Sequence, residues 1–171
     1  MKLISLIFLL LSCLNSRGQK SNPCNCKGFI DTSYNGTLYL KDSPKEQIIE
    51  SIPYQHKKGN YLLFDISQVA DSFFFVKMKY TLTGKTYQGW LRKAKYLNTY
   101  IKRDSLELTL FYEASYTSKI RTKTSNKKAK PFQIFNCTQN WLYIKKNDKD
   151  SKFEGWIHSQ NQCSNPTTTC K

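Results

Sequence analysis

Tyr87-Gln88-Gly89-Trp90-Leu91 is the stretch that decides the fold, because its pattern recurs as Phe153-Glu154-Gly155-Trp156-Ile157. Each copy reads aromatic, polar, glycine, tryptophan and aliphatic. Two further pairs of segments match in the same order and at similar spacing: Phe73–Lys77 with Trp141–Lys145, and Leu38–Leu40 with Leu108–Leu110. Ordered matches at a nearly constant period indicate an internal repeat. The sequence therefore predicts two copies of one small unit.

Strand and turn signals inside each unit predict a β-fold. Tyr61–Ile66 and Phe132–Cys137 are the predicted strands that precede the two matched aromatic segments. Pro44–Glu50 favours a helical turn, since proline suits the first position of a helix. Four or five short strands with closely spaced turns are typical of a small barrel or sandwich. The predicted fold class is all-β.

At these residues each unit resembles a bacterial SH3-like (SH3b) domain. The segments that carry the resemblance are the opening Leu38–Pro44, the aromatic strands Ser72–Val76 and Asn140–Ile144, the turns Thr83–Lys85 and Asn147–Lys149, and the two Gly-Trp pairs. The resemblance implies two small SH3-like barrels, residues 28–103 and 104–171. No Gly/Ser-rich linker separates them, so we expect them to pack in tandem. The opening loops lack the usual arginine and glycine, and Glu113-Ala114-Ser115 replaces Ser-Pro in the second copy.

The N-terminal segment has the pattern of a secretion signal. Lys2 precedes the apolar run Leu3–Leu11, which is too short to span a bilayer. Ser16-Arg17-Gly18 fits a cleavage site, so residues 1–18 are predicted to be a signal peptide. Leu10-Leu11-Ser12-Cys13 offers an alternative, because it resembles a bacterial lipobox that would make Cys13 a lipidated N-terminus. Both interpretations predict export to the periplasm or beyond, the second with an outer-membrane anchor.

The chain is strongly basic, with a formal net charge of +15. This charge favours cell-wall polymer, another anionic glycan or an acidic protein as partner, and it also fits simple solubility. Export argues against nucleic acid. The most basic segment, residues 119–130, is predicted to form a loop, either an anion-binding patch or a solvated surface. The candidate basic patch consists of Lys119, Arg121, Lys123, Lys127, Lys128 and Lys130.

Five cysteines follow the leader, and an oxidising compartment makes disulfides the expected state. The disulfide candidates are Cys24, Cys26, Cys137, Cys163 and Cys170. An odd number leaves one thiol free or paired with another chain. Cys163 could close a loop with Cys170, or one of these two could reach Cys137 while Cys24 or Cys26 reaches the tail. No metal site is predicted, because Cys24-Asn25-Cys26 lacks a second pair at zinc-site spacing.

Aromatic residues are the main candidates for binding, since they can stack on sugar rings or peptide side chains. The candidate ligand-binding residues are Tyr39, Tyr87, Trp90, Tyr112, Tyr116, Trp141 and Trp156. The alternative is that aromatics fill the core, because one alternating face of each strand is buried. Phe74, Trp90, Leu142 and Trp156 are expected to be core or half-buried, and the five other candidates to be partly exposed.

No residue pattern indicates catalysis or a cofactor. Cys137 with His158 is the one nucleophile–base pair to consider, and a disulfide or core position is the more ordinary interpretation of Cys137. Motifs for nucleotide binding, zinc hydrolysis or a serine nucleophile are absent from the sequence. We therefore expect a non-catalytic, exported binding module of the bacterial cell envelope that recognises peptidoglycan or another anionic glycan. The alternative is a protein–protein interaction module, such as a periplasmic inhibitor or immunity-type protein.

Overall fold

The computed structural model describes residues 21–102, 107–124, 131–148 and 151–163. Within these ranges the protein is all-β, as predicted, and contains no α-helix. The strands are β1 (Asn22–Ile30), β2 (Asn35–Lys41), β3 (Ile48–Gln55), β4 (Leu62–Ala70), β5 (Phe73–Tyr80), β6 (Thr86–Arg92), β7 (Leu97–Ile101), β8 (Leu108–Phe111), β9 (Ile120–Thr124), β10 (Phe132–Thr138), β11 (Trp141–Asp148), β12 (Ser151–His158) and β13 (Gln162–Cys163). A short 3-10 turn, Ser159–Asn161, precedes β13. None of the described residues belongs to a helix long and apolar enough to cross a membrane.

Several sequence predictions fall outside the described residues. They are the signal peptide at residues 1–18, the lipidation candidate Cys13, the basic residues Lys127, Lys128 and Lys130, and Cys170.

All strands belong to one antiparallel sheet, in which the same pairing order occurs twice. The sheet runs β3-β2-β6-β5-β4-β1-β7-β10-β11-β12-β8-β9, and β13 pairs with β7. The order β3-β2-β6-β5-β4 thus returns as β9-β8-β12-β11-β10. The matched sequence segments occupy equivalent strands in the two series.

Strand β7 pairs with strands of both series. β1 pairs with β4 and with β7, and β7 in turn pairs with β10 and with β13. β7 therefore occupies the last position of the first series and the first position of the second. We call β1–β7 the first half and β7–β13 the second half. The predicted boundary between residues 103 and 104 lies just after this shared strand.

Alternation along the strands builds one core across both halves. In β5, Phe74, Val76 and Met78 are buried while the residues between them face outward. Leu142 and Ile144 repeat this pattern in β11. Successive side chains of a strand point to opposite faces, so each aromatic strand has one buried row and one outer row. The buried rows of both halves belong to a single apolar cluster.

The glycine of each Gly-Trp pair permits two paired strands to approach each other closely. A Cβ at Gly89 of β6 would lie 3.0 Å from the Lys41 carbonyl oxygen and 3.1 Å from Leu40 Cβ in β2. A Cβ at Gly155 of β12 would lie 2.8 Å from Leu110 Cβ in β8. Both glycines also have a positive φ, 158° and 159°, which side-chain-bearing residues rarely adopt. The same close approach of two strands therefore requires a glycine at this position in both halves.

Three local predictions differ from the structure. Ile48 begins strand β3, so Pro44–Glu50 does not form the predicted helical turn. Ile120–Thr124 is strand β9, paired with β8, rather than part of a basic loop. Asn147 and Asp148 end β11 instead of starting the turn to β12. In each case a partner strand supplies backbone hydrogen bonds to a segment that local sequence signals assigned to a turn or a loop.

A disulfide joins the first strand to the second half. Cys24 of β1 is bonded to Cys137 of β10, with their Cα atoms 5.8 Å apart, within the usual range. The sequence-based alternatives did not include this pairing. Cys163 is also disulfide-bonded, whereas the candidate Cys26 is a free, buried thiol. Disulfide bonding is thus confirmed for Cys24, Cys137 and Cys163, and Cys26 is a free thiol of the kind that the odd number of cysteines predicts.

Candidate functional site

The two aromatic hairpins present equivalent outer rows of side chains. On β5–β6, the first outer face consists of the cross-strand pairs Phe73–Arg92, Phe75–Trp90 and Lys77–Gln88. On β11–β12, the second outer face consists of Trp141–His158, Tyr143–Trp156 and Lys145–Glu154. Each face therefore carries, in order, an aromatic–basic pair, an aromatic–tryptophan pair and a pair containing lysine.

The central pair of each face has the same geometry. The rings of Phe75 and Trp90 have centroids 5.3 Å apart at 62°, and those of Tyr143 and Trp156 are 5.3 Å apart at 65°. Both tryptophans are half-buried, as expected. They point away from the core because the adjacent glycine occupies the inward position. An edge-to-face aromatic pair of this kind leaves ring surface available for stacking with a ligand.

Cations surround the first outer face. Lys41 of β2 lies over the Phe73 ring, with its Nζ 5.6 Å from the ring centroid. Lys77 and Arg92 belong to the row itself, and none of the six residues of this face is acidic. The face is therefore aromatic and positively charged.

The second outer face continues into a groove lined by Tyr112, Arg121, Thr122, Lys145 and Glu154, with a volume of about 580 Å³. We call it the Arg121 groove. Arg121 reaches over from β9 and forms an ion pair with Glu154, whose other carboxylate oxygen lies 3.6 Å from Lys145 Nζ. The Arg121 Nη1 donates to the Tyr143 hydroxyl at 3.3 Å. The guanidinium also lies over the Tyr112 ring, 5.3 Å from its centroid. Five donors in a planar fork allow one arginine to make all of these contacts.

At the other end of the second outer face, Trp141 is enclosed by aromatic rings. Its centroid lies 4.8 Å from that of Tyr116, 5.6 Å from Phe111 and 5.2 Å from His158. Trp141 is therefore only 6% exposed, and the prediction that it is partly exposed is wrong. Tyr116 covers it, remains 56% exposed and accepts a hydrogen bond from Gln160 Nε2 at 2.9 Å.

The other predicted site residues are dispersed. Tyr39 and Tyr112 are about half exposed, as expected. Tyr87 packs against the core on the face opposite Trp90, with Lys85 Nζ 4.9 Å from its ring centroid. A hydrogen bond to Tyr87 raises the pKa of Lys85.

The basic patch is also divided: of its three described members, Lys119, Arg121 and Lys123, only Arg121 lines the groove. Lys123 forms an exposed ion pair with Glu107 at 3.1 Å, and Lys119 is exposed. Sequence analysis did not single out Phe75, Tyr143, Lys145 or Glu154 as site residues. Their period-two spacing beside the Gly-Trp pairs is the signal that would have found them.

The candidate nucleophile–base pair is not available for catalysis. Cys137 is bonded to Cys24, so its sulfur carries no thiolate, and His158 Nδ1 accepts a hydrogen bond from the Gln160 backbone at 3.3 Å. Among the described residues, the sulfurs of Cys24, Cys26 and Cys137 form one group within 4.8 Å that has metal-ligand chemistry. The disulfide occupies two of the three, so the oxidised chain retains a single thiol there.

Comparison with known proteins adds no family assignment. No protein-family model matches the sequence, and a search of curated proteins also finds no match. The resemblance to SH3b domains therefore stays a prediction.

Proposed function

We propose that the protein is a non-catalytic module that binds an anionic glycan of the bacterial cell envelope, with peptidoglycan as the first candidate. The proposal includes two SH3-like units as the binding scaffold and export of the chain. The Cys24–Cys137 disulfide is compatible with an oxidising, exported compartment.

The repeated outer face is the observation that carries this function. Two aromatic pairs with matching geometry, Phe75–Trp90 and Tyr143–Trp156, stand beside basic side chains on the surface of the sheet. Aromatic rings stack on the apolar faces of sugars, and neighbouring cations attract the acidic groups of the same polymer. A polymer with repeating sugars suits a protein that offers two such surfaces, because the second contact forms at high effective concentration.

A non-catalytic role fits the distribution of carboxylates on these faces. Glycoside hydrolysis uses two carboxyl groups on opposite sides of the scissile bond. Glu154 is the one acidic residue among the twelve side chains of the two outer faces, and Arg121 and Lys145 both bind its carboxylate. This arrangement supports a binding surface rather than a general acid and its partner.

The test is retention of the purified protein on peptidoglycan sacculi at low and moderate salt. We expect salt-resistant retention, and we expect a Trp90→Ala/Trp156→Ala double variant to lose it. Leu82→Ala is the matched control, because Leu82 is an exposed apolar residue outside both faces. Retention only at low salt would show that the positive charge acts without specificity. Retention that survives the double substitution would contradict stacking on the outer faces.

A protein partner is the second candidate, and strand β3 favours it. β3 lies at one end of the sheet order, and its first residues, Ile48 and Ile49, are each 50% exposed. An exposed edge strand with apolar side chains can accept a strand from another chain. No retention on sacculi, together with a stable complex that Ile49→Lys abolishes, would place this function first.

A further inference from the structure

The two halves differ at two equivalent positions beside the Gly-Trp pair, and that difference defines a binding site. A Cβ at Gly155 would lie 3.6 Å from Arg121 Cδ, and a Cβ at Gly89 would lie 3.4 Å from Ile49 Cδ1. Arg121 and Ile49 therefore occupy equivalent places beside the Gly-Trp pair. The residue before the glycine is Glu154 in the second half and Gln88 in the first. These two positions are thus charged in the second half and neutral in the first, whereas the lysine beside them is present in both halves as Lys145 and Lys77.

We infer that the Arg121 groove is a carboxylate subsite, and that the second half recognises the acidic sugar units of a carboxylate-bearing polysaccharide. This inference rests on the proposed function. It adds the chemical class of the ligand and the half of the protein that binds it. The first half, with Ile49 and Gln88 in place of Arg121 and Glu154, binds sugar rings without a requirement for a carboxylate.

The charge balance of the groove selects a singly charged anion. Glu154 is shared between Arg121 and Lys145, so one negative charge faces two positive charges. The remaining single positive charge matches a carboxylate better than a phosphate monoester, which carries between one and two negative charges at neutral pH. Glu154 already presents a carboxylate to this arginine, which shows that carboxylate geometry fits the guanidinium.

The guanidinium is held in a fixed orientation and remains accessible. The ion pair with Glu154 and the hydrogen bond to the Tyr143 hydroxyl engage its two terminal nitrogens, and the Tyr112 ring supports its face. The side chains of Arg121 and Glu154 are each 30% exposed. A cation that its neighbours already orient loses less side-chain freedom on binding, which strengthens the contact.

A sugar ring can stack while its carboxylate enters the groove. On the outer face of β11–β12, the Tyr143–Trp156 pair is the next cross-strand pair after Lys145–Glu154. Adjacent pairs on one face of a strand are about 7 Å apart, because each residue advances about 3.4 Å. In a hexuronate the carboxylate is attached directly to the ring, so a ring on Trp156 brings the acid group towards Arg121.

The experiment measures the binding of two soluble probes by calorimetry at moderate salt. One probe is an oligomer of galacturonate, and the other is the same oligomer with its carboxylates reduced to primary alcohols. We expect the wild-type protein to prefer the acidic oligomer by about tenfold, the value typical of one charge-assisted contact. Arg121→Gln should abolish this preference, and Arg121→Lys should retain part of it, since lysine keeps the charge but lacks the fork.

Two control variants remove one positive charge elsewhere. Lys58→Gln changes an exposed residue between β3 and β4, outside both outer faces, and Lys123→Gln changes an exposed residue of β9 that pairs with Glu107 outside the groove. Both should keep the tenfold preference. Equal affinity of wild type for the two oligomers, or equal losses in Arg121→Gln and the controls, would overturn the carboxylate subsite.

Sacculi separate the failure of this inference from the failure of the proposed function. Salt-resistant retention on sacculi with no preference for the acidic oligomer would leave glycan binding intact and refute the subsite. Absence of binding to sacculi and to both oligomers would refute both. Amidation of the carboxyl groups of the sacculi should weaken retention of the wild-type protein but not of Arg121→Gln. This result would identify the wall itself as the source of the carboxylate.

Discussion

Substituting alanine for Gly155 tests whether the close approach of β8 to β12 requires the glycine of the Gly-Trp pair. The added Cβ would lie 2.8 Å from Leu110 Cβ and 3.0 Å from the Phe111 carbonyl oxygen, closer than such atoms normally approach. Both obstacles belong to β8, whose backbone and core contacts fix its position. The substitution must therefore displace β8 from β12.

The magnitude follows from two separate costs. Overpacking a well-filled interior costs about 1–3 kcal/mol. A side-chain-bearing residue at the φ of 159° costs about 1–3 kcal/mol more. We therefore expect Gly155→Ala to lower the free energy of unfolding by about 2–6 kcal/mol. Gly89→Ala should cost somewhat less, because its nearest contacts are 3.0 and 3.1 Å.

Gly84 provides the matched control. It lies in the turn between β5 and β6 with a φ of 69°, and a Cβ there would meet no atom within 4 Å. Gly84→Ala should therefore cost only the backbone term, about 1–2 kcal/mol.

Urea unfolding followed by tryptophan fluorescence measures all three variants, since Trp90 and Trp156 adjoin Gly89 and Gly155 and report on both halves. We expect Gly155→Ala to lose most stability, followed by Gly89→Ala and then Gly84→Ala. The contrary result is that Gly155→Ala lowers the free energy of unfolding no more than Gly84→Ala, with the same slope of free energy against urea concentration. The close approach of β8 to β12 would then not be the reason for the glycine.

Three further predictions concern the core thiol, the disulfide and the shared strand. Burial raises the pKa of the Cys26 thiol from 9.0 to about 11, so the folded state holds this proton more tightly and the free energy of unfolding should fall as pH rises from about 9 to 11. Cys26→Ala should show a shallower fall in urea titrations across this range, and an identical pH dependence would contradict the assignment. The Cys24–Cys137 disulfide spans 113 residues, so a Cys24→Ser/Cys137→Ser double variant should lose about 4 kcal/mol in urea unfolding; a loss below about 1 kcal/mol would refute a stabilising crosslink. A fragment of residues 1–103 retains β1–β7 and should give a β-type circular dichroism spectrum, whereas residues 104–171 lack β7 and should remain unfolded; a folded second fragment alone would contradict the shared strand.

The repeat and the all-β class were predictable because period-two alternation is a local property. Phe132–Cys137 was predicted as a strand, and the structure extends it by one residue to Thr138. Each aromatic strand needs one buried row, so Phe74 and Leu142 could be placed in the core from their position alone.

Contacts between distant segments explain what the sequence did not predict. Trp141 lies on an outer row like Trp156, yet Phe111 and Tyr116 cover it from a segment about thirty residues away. The basic segment at Arg121 is a strand because β8 supplies its hydrogen bonds. The polarity of a residue and its position in a strand indicate whether it faces solvent or the core. They do not reveal which residues from a distant segment pack over it.

The position of β1 between β4 and β7 determines both the disulfide and the difficulty of dividing the chain. β1 fills the gap between β4 and β7, which brings Cys24 beside Cys137 of β10. Lys93, after β6, also crosses the junction and donates to Asn136 Oδ1 at 3.1 Å; burial lowers the pKa of this lysine.

The shared strand, the disulfide and this buried contact hold the two outer faces at a fixed separation. A rigid pair of surfaces binds a stiff polymer with less loss of freedom than two units on a linker. Under the proposed function, the matching geometry of the two aromatic pairs would provide a common contact to the sugar, and Arg121, at the position equivalent to Ile49, would give the second half its own chemistry.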